Sequence, residues 1–326
     1  MATNRKLVLV PHTMGRAGTD LLSARDDIEM KVYPAGITQA ALLPLLAEAA
    51  GIALSGTPYR QKELDASPAI EVVARIGVGF DAVEVPALTV RRVPLMTAGT
   101  SNSTSVAEHA LYLIMALAKR GPAMDALVRG GRWQDRHDAL PMELAGKTVL
   151  IVGFGRIGTR SARRCAAMEM NVLVHDPYVA PDIIRDAGYE PVADLDTDVA
   201  RADFVSIHCP KNSETVGMFN AARLARMPRG AAIVNTARGG IVDEAALAAA
   251  LRSGHLSGAG LDVLAEEPTP MDNPLLALPQ VIVSPHMAGV TTESVAGMAR
   301  TTAENILSVL DGHPIRAHAV NPEVFD

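Results

Sequence analysis

Residues Gly153-Phe-Gly-Arg-Ile-Gly158 set three glycines in the order G-x-G-x-x-G. The chemistry served by this spacing is the cradling of a pyrophosphate. The first glycine permits a tight turn, the second lets a phosphate approach the backbone, and the third lets a helix pack closely on its strand. Free N–H groups at the start of that helix, with its dipole behind them, favour an anion. A short apolar run rich in β-branched residues, Thr148–Val152, precedes the glycines, and a helical pattern follows them. A second apolar run, Val172–Val174, leads to Asp176, 18 residues after Gly158. That is close to the spacing of an acid that hydrogen-bonds a ribose. A glycine-rich turn without a ligand, or a site for another adenosine compound, competes with this reading. Strand, glycines, helix and terminal acid in one unit favour a dinucleotide. Asp176 would repel a 2′-phosphate, and Pro177 and Tyr178 follow it without a basic side chain. The expected cofactor is therefore NAD rather than NADP.

A second set of residues has types suited to acting on a molecule beside that cofactor. His208, Arg238, Asp262 and His286 each follow a strand-like run, and Glu267 lies in Glu266-Glu267-Pro268. In an open parallel sheet, ligands bind beyond the carboxyl ends of the strands. These runs would bring imidazole, guanidinium and carboxylate groups to the crevice where the cofactor lies.

Positioning those strand ends requires strands and helices in alternation. Lys6–Val10, Ile52–Leu54, Val72–Ile76 and Val93–Met96 read as strands. Gly36–Gly51 reads as a helix capped by Thr38, with a face of Leu42, Leu43, Leu45 and Leu46 and with Gly51 as its end, although Pro44 blurs its start. Pro86–Thr89 reads as a short helix. Ser103–Lys119 is a clear one, with a capping box of Ser105 and Glu108 and a stripe of Val106, Ala110, Ile114 and Leu117. Arg120–Leu144 is polar, carries Gly130-Gly131 and lacks a strong period, so it reads as a connecting segment. Further on, Phe204–His208, Ala231–Asn235, Gly258–Leu261 and Val281–Ser284 are expected strands. Asn220–Arg226 and Asp243–Ser253 are expected helices, the second ended by Gly254. Thr292–Leu310 is a long helix with Val295, Met298, Thr302, Ile306 and Val309 on one stripe. Alternation of this kind argues for α/β architecture with parallel sheets.

Composition narrows the classes. The chain has 326 residues, a length suited to two domains, and 48% apolar residues, enough for sizeable cores. A net charge of −6 offers no basic footprint for nucleic acid. The two cysteines, Cys165 and Cys209, are too few for a disulfide framework and suggest a reducing compartment. No run suits a signal-peptide core or a membrane span. The expectation is a soluble cytoplasmic protein without nucleic-acid, membrane or metal partners.

Taken in order, Gly77-Val-Gly-Phe-Asp81, Ser105-Val-Ala-Glu-His109, Gly153–Gly158, His175-Asp-Pro-Tyr178, His208-Cys-Pro210 with Thr215, Val234-Asn-Thr-Ala-Arg-Gly239, Gly260-Leu-Asp262, Glu266-Glu-Pro268 and Ser284-Pro-His286 give the chain a close resemblance to the D-isomer-specific 2-hydroxyacid dehydrogenases. It extends over nearly the whole length. The resemblance implies two Rossmann-like or flavodoxin-like parallel-sheet domains with an interdomain cleft. Residues 1–101 with 290–326 would form a discontinuous substrate domain around an NAD-binding domain at 102–289. It implies hydride transfer between NAD and a small 2-keto or 2-hydroxy acid.

The resemblance also implies roles. His286 would be the general acid of keto-acid reduction and the base of the reverse step, because an imidazole titrates near neutrality. Glu267 would pair with His286 and orient it. Arg238 would bind the substrate carboxylate and polarise the keto oxygen with its fork of donors. Backbone N–H groups of Val78 and Gly79 would hold the same carboxylate. Cofactor contacts would come from Gly153, Gly155, Arg156, Ile157, Gly158, Asp176, His208, Pro210, Thr215, Thr236, Ala237, Arg238, Asp262 and His286. Asp262 would accept from the nicotinamide carboxamide. His208 has a structural role as its alternative. His109 reads as a helix-face residue, Cys209 as packing, and Trp133 as an anchor of the connecting segment. The charged run Arg132–Asp138 reads as a solvated face or subunit contact. The resemblance further implies a homodimer and closure of the domains over the ligands, hinged on the Ser103–Lys119 and C-terminal helices.

Glyoxylate or hydroxypyruvate suits the expected substrate class. Phosphoglycerate dehydrogenases of this family use basic residues for the phosphate, one at a strand end near position 55, where this chain has Ala53-Leu-Ser-Gly56. Arg60 and Lys62 follow shortly. The sequence also stops at Asp326 without the regulatory domain many of those enzymes carry. D-3-phosphoglycerate is thus the alternative substrate. A non-catalytic, NADH-sensing corepressor-like protein is the alternative of a different class.

Overall fold

The computed structural model describes residues 5–326. The chain forms two units. One comprises the described residues up to Asn102 together with Val290–Asp326, and the other is Ser103–Gly289.

The first unit is a five-stranded parallel sheet of β1 (Lys6–Pro11), β2 (Ile28–Tyr33), β3 (Ala49–Leu54), β4 (Val72–Arg75) and β5 (Leu95–Met96), in the order β2-β1-β3-β4-β5. This is a doubly wound order, with the direction of winding reversing between β1 and β3. Every residue of β3 is buried, as a central strand covered on both faces requires. Its helices are α1 (Arg16–Ser23), α2 (Gln39–Leu46), α3 (Gln61–Asp65) and α4 (Val85–Val90). The helix Thr292–Leu310 has the bounds its pattern predicts and buries Met298, Thr302 and Ile306. It lies against α1 so closely that a Cβ on Gly18 would sit 2.3 Å from the carbonyl oxygen of Ala299. The tail beyond it joins the sheet edge. Val320 N–H donates to the Leu95 carbonyl at 2.9 Å, and the buried Asn321 accepts from Leu95 N–H at 2.8 Å. These bonds explain how a distant C-terminal segment completes the N-terminal sheet.

The second unit is a seven-stranded parallel sheet of β6 (Thr148–Val152), β7 (Asn171–His175), β8 (Glu190–Pro191), β9 (Phe204–Ile207), β10 (Ala232–Asn235), β11 (Gly258–Leu261) and β12 (Val281–Val283). The order is β12-β11-β10-β9-β6-β7-β8. The winding therefore reverses between β6 and β9, and the crevice rule places a ligand beyond those two ends. Its helices are α5 (Ser103–Ala118), α6 (Gly121–Arg129), α7 (Gly158–Ala167), α8 (Pro181–Asp186), α9 (Leu195–Asp198), α10 (Ala221–Arg226) and α11 (Glu244–Arg252). Asn220 and Asp243 cap α10 and α11 through their side chains, as polar residues before an apolar helix should.

Four local expectations are corrected. Gly51 does not end α2. The helix stops at Leu46, and Gly51 lies inside β3, where its hydrogen faces Val72 and Ile306 at contact distance. Ser105 and Glu108 form no capping box. The α5 helix begins at Ser103, so Ser105 is buried inside it and Glu108 instead pairs with Arg164 at 3.1 Å. The segment 120–144 is not wholly irregular, since it holds α6 and a 3₁₀ turn, Trp133–His137. Neither buries a residue, so no apolar period marked them. Finally, α1 and β2 occupy a stretch where the sequence suggested no element. The α1 helix is short and carries Gly18, and β2 is largely exposed.

Candidate active site

The glycine cradle follows from backbone sterics. Gly153 has φ +94°, and a Cβ there would meet Cys209 N at 2.7 Å. A Cβ on Gly158 would fall 1.9 Å from the Gly153 carbonyl oxygen. These two glycines let the β6 turn close on itself and on the end of β9. Gly155 differs, because a Cβ there meets nothing within 4 Å and the residue is exposed. Open space at the middle glycine is what an approaching pyrophosphate needs. Ile157 stands at the start of α7, and the exposed Arg156 accepts from Arg160 through its carbonyl.

At the end of β7, Asp176 accepts from Phe154 N–H at 2.7 Å and from Tyr178 N–H at 2.9 Å, one bond to each oxygen. An ionised carboxylate has about four acceptor positions, so capacity remains for a ribose hydroxyl. Tyr178 donates to Glu214 at 2.5 Å. His208, after β9, places Nε2 2.9 Å from Ser206 Oγ, while its buried Nδ1 has no hydrogen-bond partner among the described residues. Burial pushes its pKa down to about 4, so the ring is neutral at neutral pH. Thr236 Oγ1, after β10, is likewise buried without a partner. Unpaired buried polar atoms are costly, and a dinucleotide rich in donors and acceptors suits them. Thr215 is different. It donates to the Pro210 carbonyl at 2.7 Å and accepts from Asn212 N–H at 2.8 Å, so its hydroxyl builds the loop.

The ionisable residues lie at the ends of β10, β11 and β12, which are neighbours in the sheet. Asn235 braces the loop after β10, accepting from Ala237 N–H at 3.0 Å and donating to the Arg238 carbonyl at 2.9 Å. Arg238 itself is half-buried and donates to the Ala237 carbonyl at 2.7 Å. A Cβ on Gly239 would lie 1.7 Å from the Leu264 carbonyl oxygen, so only glycine lets the loops after β10 and β11 touch. His286 Nδ1 is 2.8 Å from Glu267 Oε2. The other oxygen of Glu267 accepts from Leu264 N–H at 3.1 Å. An ionised Glu267 requires the proton on Nδ1, which directs Nε2 chemistry elsewhere. Both side chains keep solvent access, at 49% and 38%.

His286 has φ +56°, a left-handed conformation that costs a non-glycine residue about 1–2 kcal/mol. The turn is held by Asp262. His286 N–H donates to the Asp262 carbonyl at 2.8 Å, while Met287 and Ala288 N–H donate to its carboxylate at 2.8 and 2.9 Å. Asp262 is 1% exposed, and Ser284 Oγ also donates to it at 2.5 Å. Most of this carboxylate's capacity is thus used inside the protein. Its Oδ2 accepts only from Ala288 among the hydrogen bonds described.

Sequence reasoning read His109 only as a helix-face residue and gave Ser284 no role of its own. Both fell within the matched motifs, but no residue-level signal gave them a role. Val78 and Gly79 lie in the first unit, in the loop after β4. There Gly77 has φ +137°, and Arg75 Nε donates to the Gly79 carbonyl at 2.8 Å.

Comparison with known proteins identifies relatives of the chain. Residues 111–288 match the family described as D-isomer specific 2-hydroxyacid dehydrogenase, NAD binding domain. A D-3-phosphoglycerate dehydrogenase of Mycobacterium bovis is 42% identical over 305 residues, covering 93% of this chain and 56% of the relative. The chain spans about half the length of the curated relatives it matches. Among solved structures, D-lactate dehydrogenase from Aquifex aeolicus, complexed with NAD and lactic acid, superposes with a TM-score of 0.86 at 26% identity, covering 96% of this chain and 99% of the other. A glyoxylate reductase from Paecilomyes thermophila gives a TM-score of 0.86 at 27% identity, with 98% and 99% covered. With a glycine cradle closed by an acid, and with arginine, glutamate and histidine on the loops after neighbouring strands β10, β11 and β12, the chain belongs to the D-isomer specific 2-hydroxyacid dehydrogenase family.

Proposed function

We propose that this chain interconverts a small 2-keto acid and its D-2-hydroxy acid, with NAD as the redox partner. The observation that carries the reading is the 2.8 Å His286–Glu267 pair on loops neighbouring that of Arg238, in the unit that bears the glycine cradle. Bound NADH supplies the hydride. Arg238 binds the substrate carboxylate and polarises the carbonyl. His286 delivers a proton from Nε2 to the carbonyl oxygen, and Glu267 holds the Nδ1 proton and stabilises the imidazolium before that transfer. In the oxidative direction the same nitrogen takes the hydroxyl proton. The Val78 and Gly79 amides are proposed as a further carboxylate-binding element. Asp262 is proposed to keep one acceptor position for the carboxamide, and Asp176 to favour NAD over NADP.

Glyoxylate or hydroxypyruvate is the substrate class we favour. D-3-phosphoglycerate is the second reading, because relatives named for it are 42% identical. Arg75 also donates to the Leu54 carbonyl at 3.1 Å, which brings a cation to the strand end that lacks one in sequence. The deciding experiment is a panel of 2-keto acids with NADH and NADPH, and of D-3-phosphoglycerate with NAD. Binding of NADH without turnover on any substrate would overturn the enzymatic reading.

We further propose a homodimer formed through the second unit. Tyr112, Met115, Val128, Trp133 and Leu140 leave 36–71% of their surfaces exposed on α5, α6 and the segment beyond. Exposed apolar side chains of this size, if buried by a second copy, suit an interface. Sedimentation equilibrium showing only monomer at micromolar concentration would exclude it.

A further inference from the structure

The α5 helix crosses β11 in a fixed register. A Cβ on Gly258 would meet Leu117 at 2.8 Å, and one on Gly260 would meet Leu113 at 2.9 Å. Two residues along the strand, about 6.6 Å, match one helical turn of four residues, about 6 Å. The next step in that register pairs Asp262 with His109. The geometry bears this out, with His109 Nε2 3.9 Å from Asp262 Oδ1 and 2.9 Å from Ser284 Oγ. Ser284 donates its only proton to Asp262 at 2.5 Å. His109 must then donate from Nε2, which gives a directed chain from His109 through Ser284 to Asp262. In this chain the hydroxyl proton points at the carboxylate, so Ser284 is not an activated nucleophile.

We propose that His109 is a positioning residue for the reaction, acting through Ser284 and Asp262 on the left-handed turn that aims His286. This inference rests on the proposed role of His286. The buried Asp262 carboxylate needs its donors. Ser284 with its hydroxyl locked by His109 turns one Asp262 oxygen toward Met287 N–H and leaves the other for Ala288 N–H. Those two amides fix the backbone immediately after His286. Without the lock, the hydroxyl is free to rotate, the carboxylate loses a donor, and His286 spends less time in the productive orientation. Arg238 and the glycine cradle lie on other loops, and Ser284 reaches Asp262 Oδ1 rather than the Oδ2 that has room for the carboxamide, so substrate and cofactor affinity should barely change.

The test is a double-mutant cycle with His109→Phe and Ser284→Ala in the full chain. Each single variant should lower kcat about 2- to 12-fold, the worth of one net hydrogen bond. KM for the keto acid and NADH affinity by fluorescence should stay within about twofold. Because His109 acts through Ser284, the double variant should be no slower than the single ones. His109→Gln, which keeps a donor, should recover much of the loss, as should Ser284→Thr. Additive losses, or a loss in KM alone, would overturn the proposal. Amide hydrogen exchange gives a readout independent of turnover. Met287 and Ala288 should exchange faster in both single variants, and unchanged exchange would overturn the relay. If the wild-type chain reduces no keto acid, the functional reading fails while the exchange result still decides the His109 relay.

Discussion

His208 offers the sharpest link between burial and pH. Its ordinary value of 6.5 is pushed down to about 4 by desolvation. The sign follows from proton counting. Below pH 6.5 the unfolded chain binds a proton at this ring, whereas the folded chain does so only near pH 4. Falling pH therefore favours unfolding across that window, and the stability held above pH 6.5 is lost as pH approaches 4. The fall from 6.5 to about 4 corresponds to roughly 3 kcal/mol. Part of the residue remains accessible, and solvent screening reduces this to about 2–3 kcal/mol. His208→Gln removes the titration and retains a polar group beside Ser206. Urea unfolding of both proteins, followed by far-UV circular dichroism from pH 8 to pH 4.5, isolates the effect, because other titrating groups cancel in the difference. The wild type should lose about 2–3 kcal/mol relative to the variant on acidification, with a slope of at most about 1.4 kcal/mol per pH unit. Parallel curves would refute the assignment of a desolvated, neutral imidazole at the cofactor crevice.

Other perturbations separate binding from chemistry. His286→Ala should lower kcat about 10²- to 10⁴-fold, the usual worth of a general acid, with NADH binding by fluorescence retained; equal loss of both would make His286 a scaffold residue. Glu267→Gln should cost less, about tenfold in kcat, because the pair is half open to solvent; full activity would remove Glu267 from the mechanism. Gly155→Val should leave the melting temperature nearly unchanged and lower NADH affinity by at least about tenfold, since only ligand space is filled. Gly158→Ala, aimed at the Gly153 carbonyl, should instead lower the melting temperature, and the reverse pattern would contradict the cradle. Asp176→Ala should narrow the preference for NADH over NADPH in steady-state assays, and an unchanged ratio would remove Asp176 as the discriminating acid.

Legibility followed burial. The Thr292–Leu310 helix, β6, β11 and the cap of α11 were readable because each places apolar or capping residues at a period set by a covered face. The segment 120–144 was opaque for the converse reason, since α6 buries none of its residues. Gly51 misled because glycine serves equally as a helix stop and as a small residue in a crowded strand. Only the neighbours Val72 and Ile306 distinguish the two.

The glycine spacing and the acid at 176 were legible in the sequence as a local pattern, whereas Arg238, Glu267 and His286 were singled out as the proposed chemistry-bearing set through the family resemblance. Local backbone geometry and strand periodicity act over a few residues, so a motif held within one stretch, such as the strand, glycines and acid of 148–176, can be read directly. What only the tertiary structure decided was the use of long-range contacts. Asp262 is largely occupied by Ser284, Met287 and Ala288, and the buried Nδ1 of His208 is left without a partner among the described residues. His109 changed most, from a helix-face residue to the head of a hydrogen-bond chain 175 positions away from Ser284. No local pattern encodes that pairing, because it depends on two glycines in β11 that let α5 descend onto the sheet.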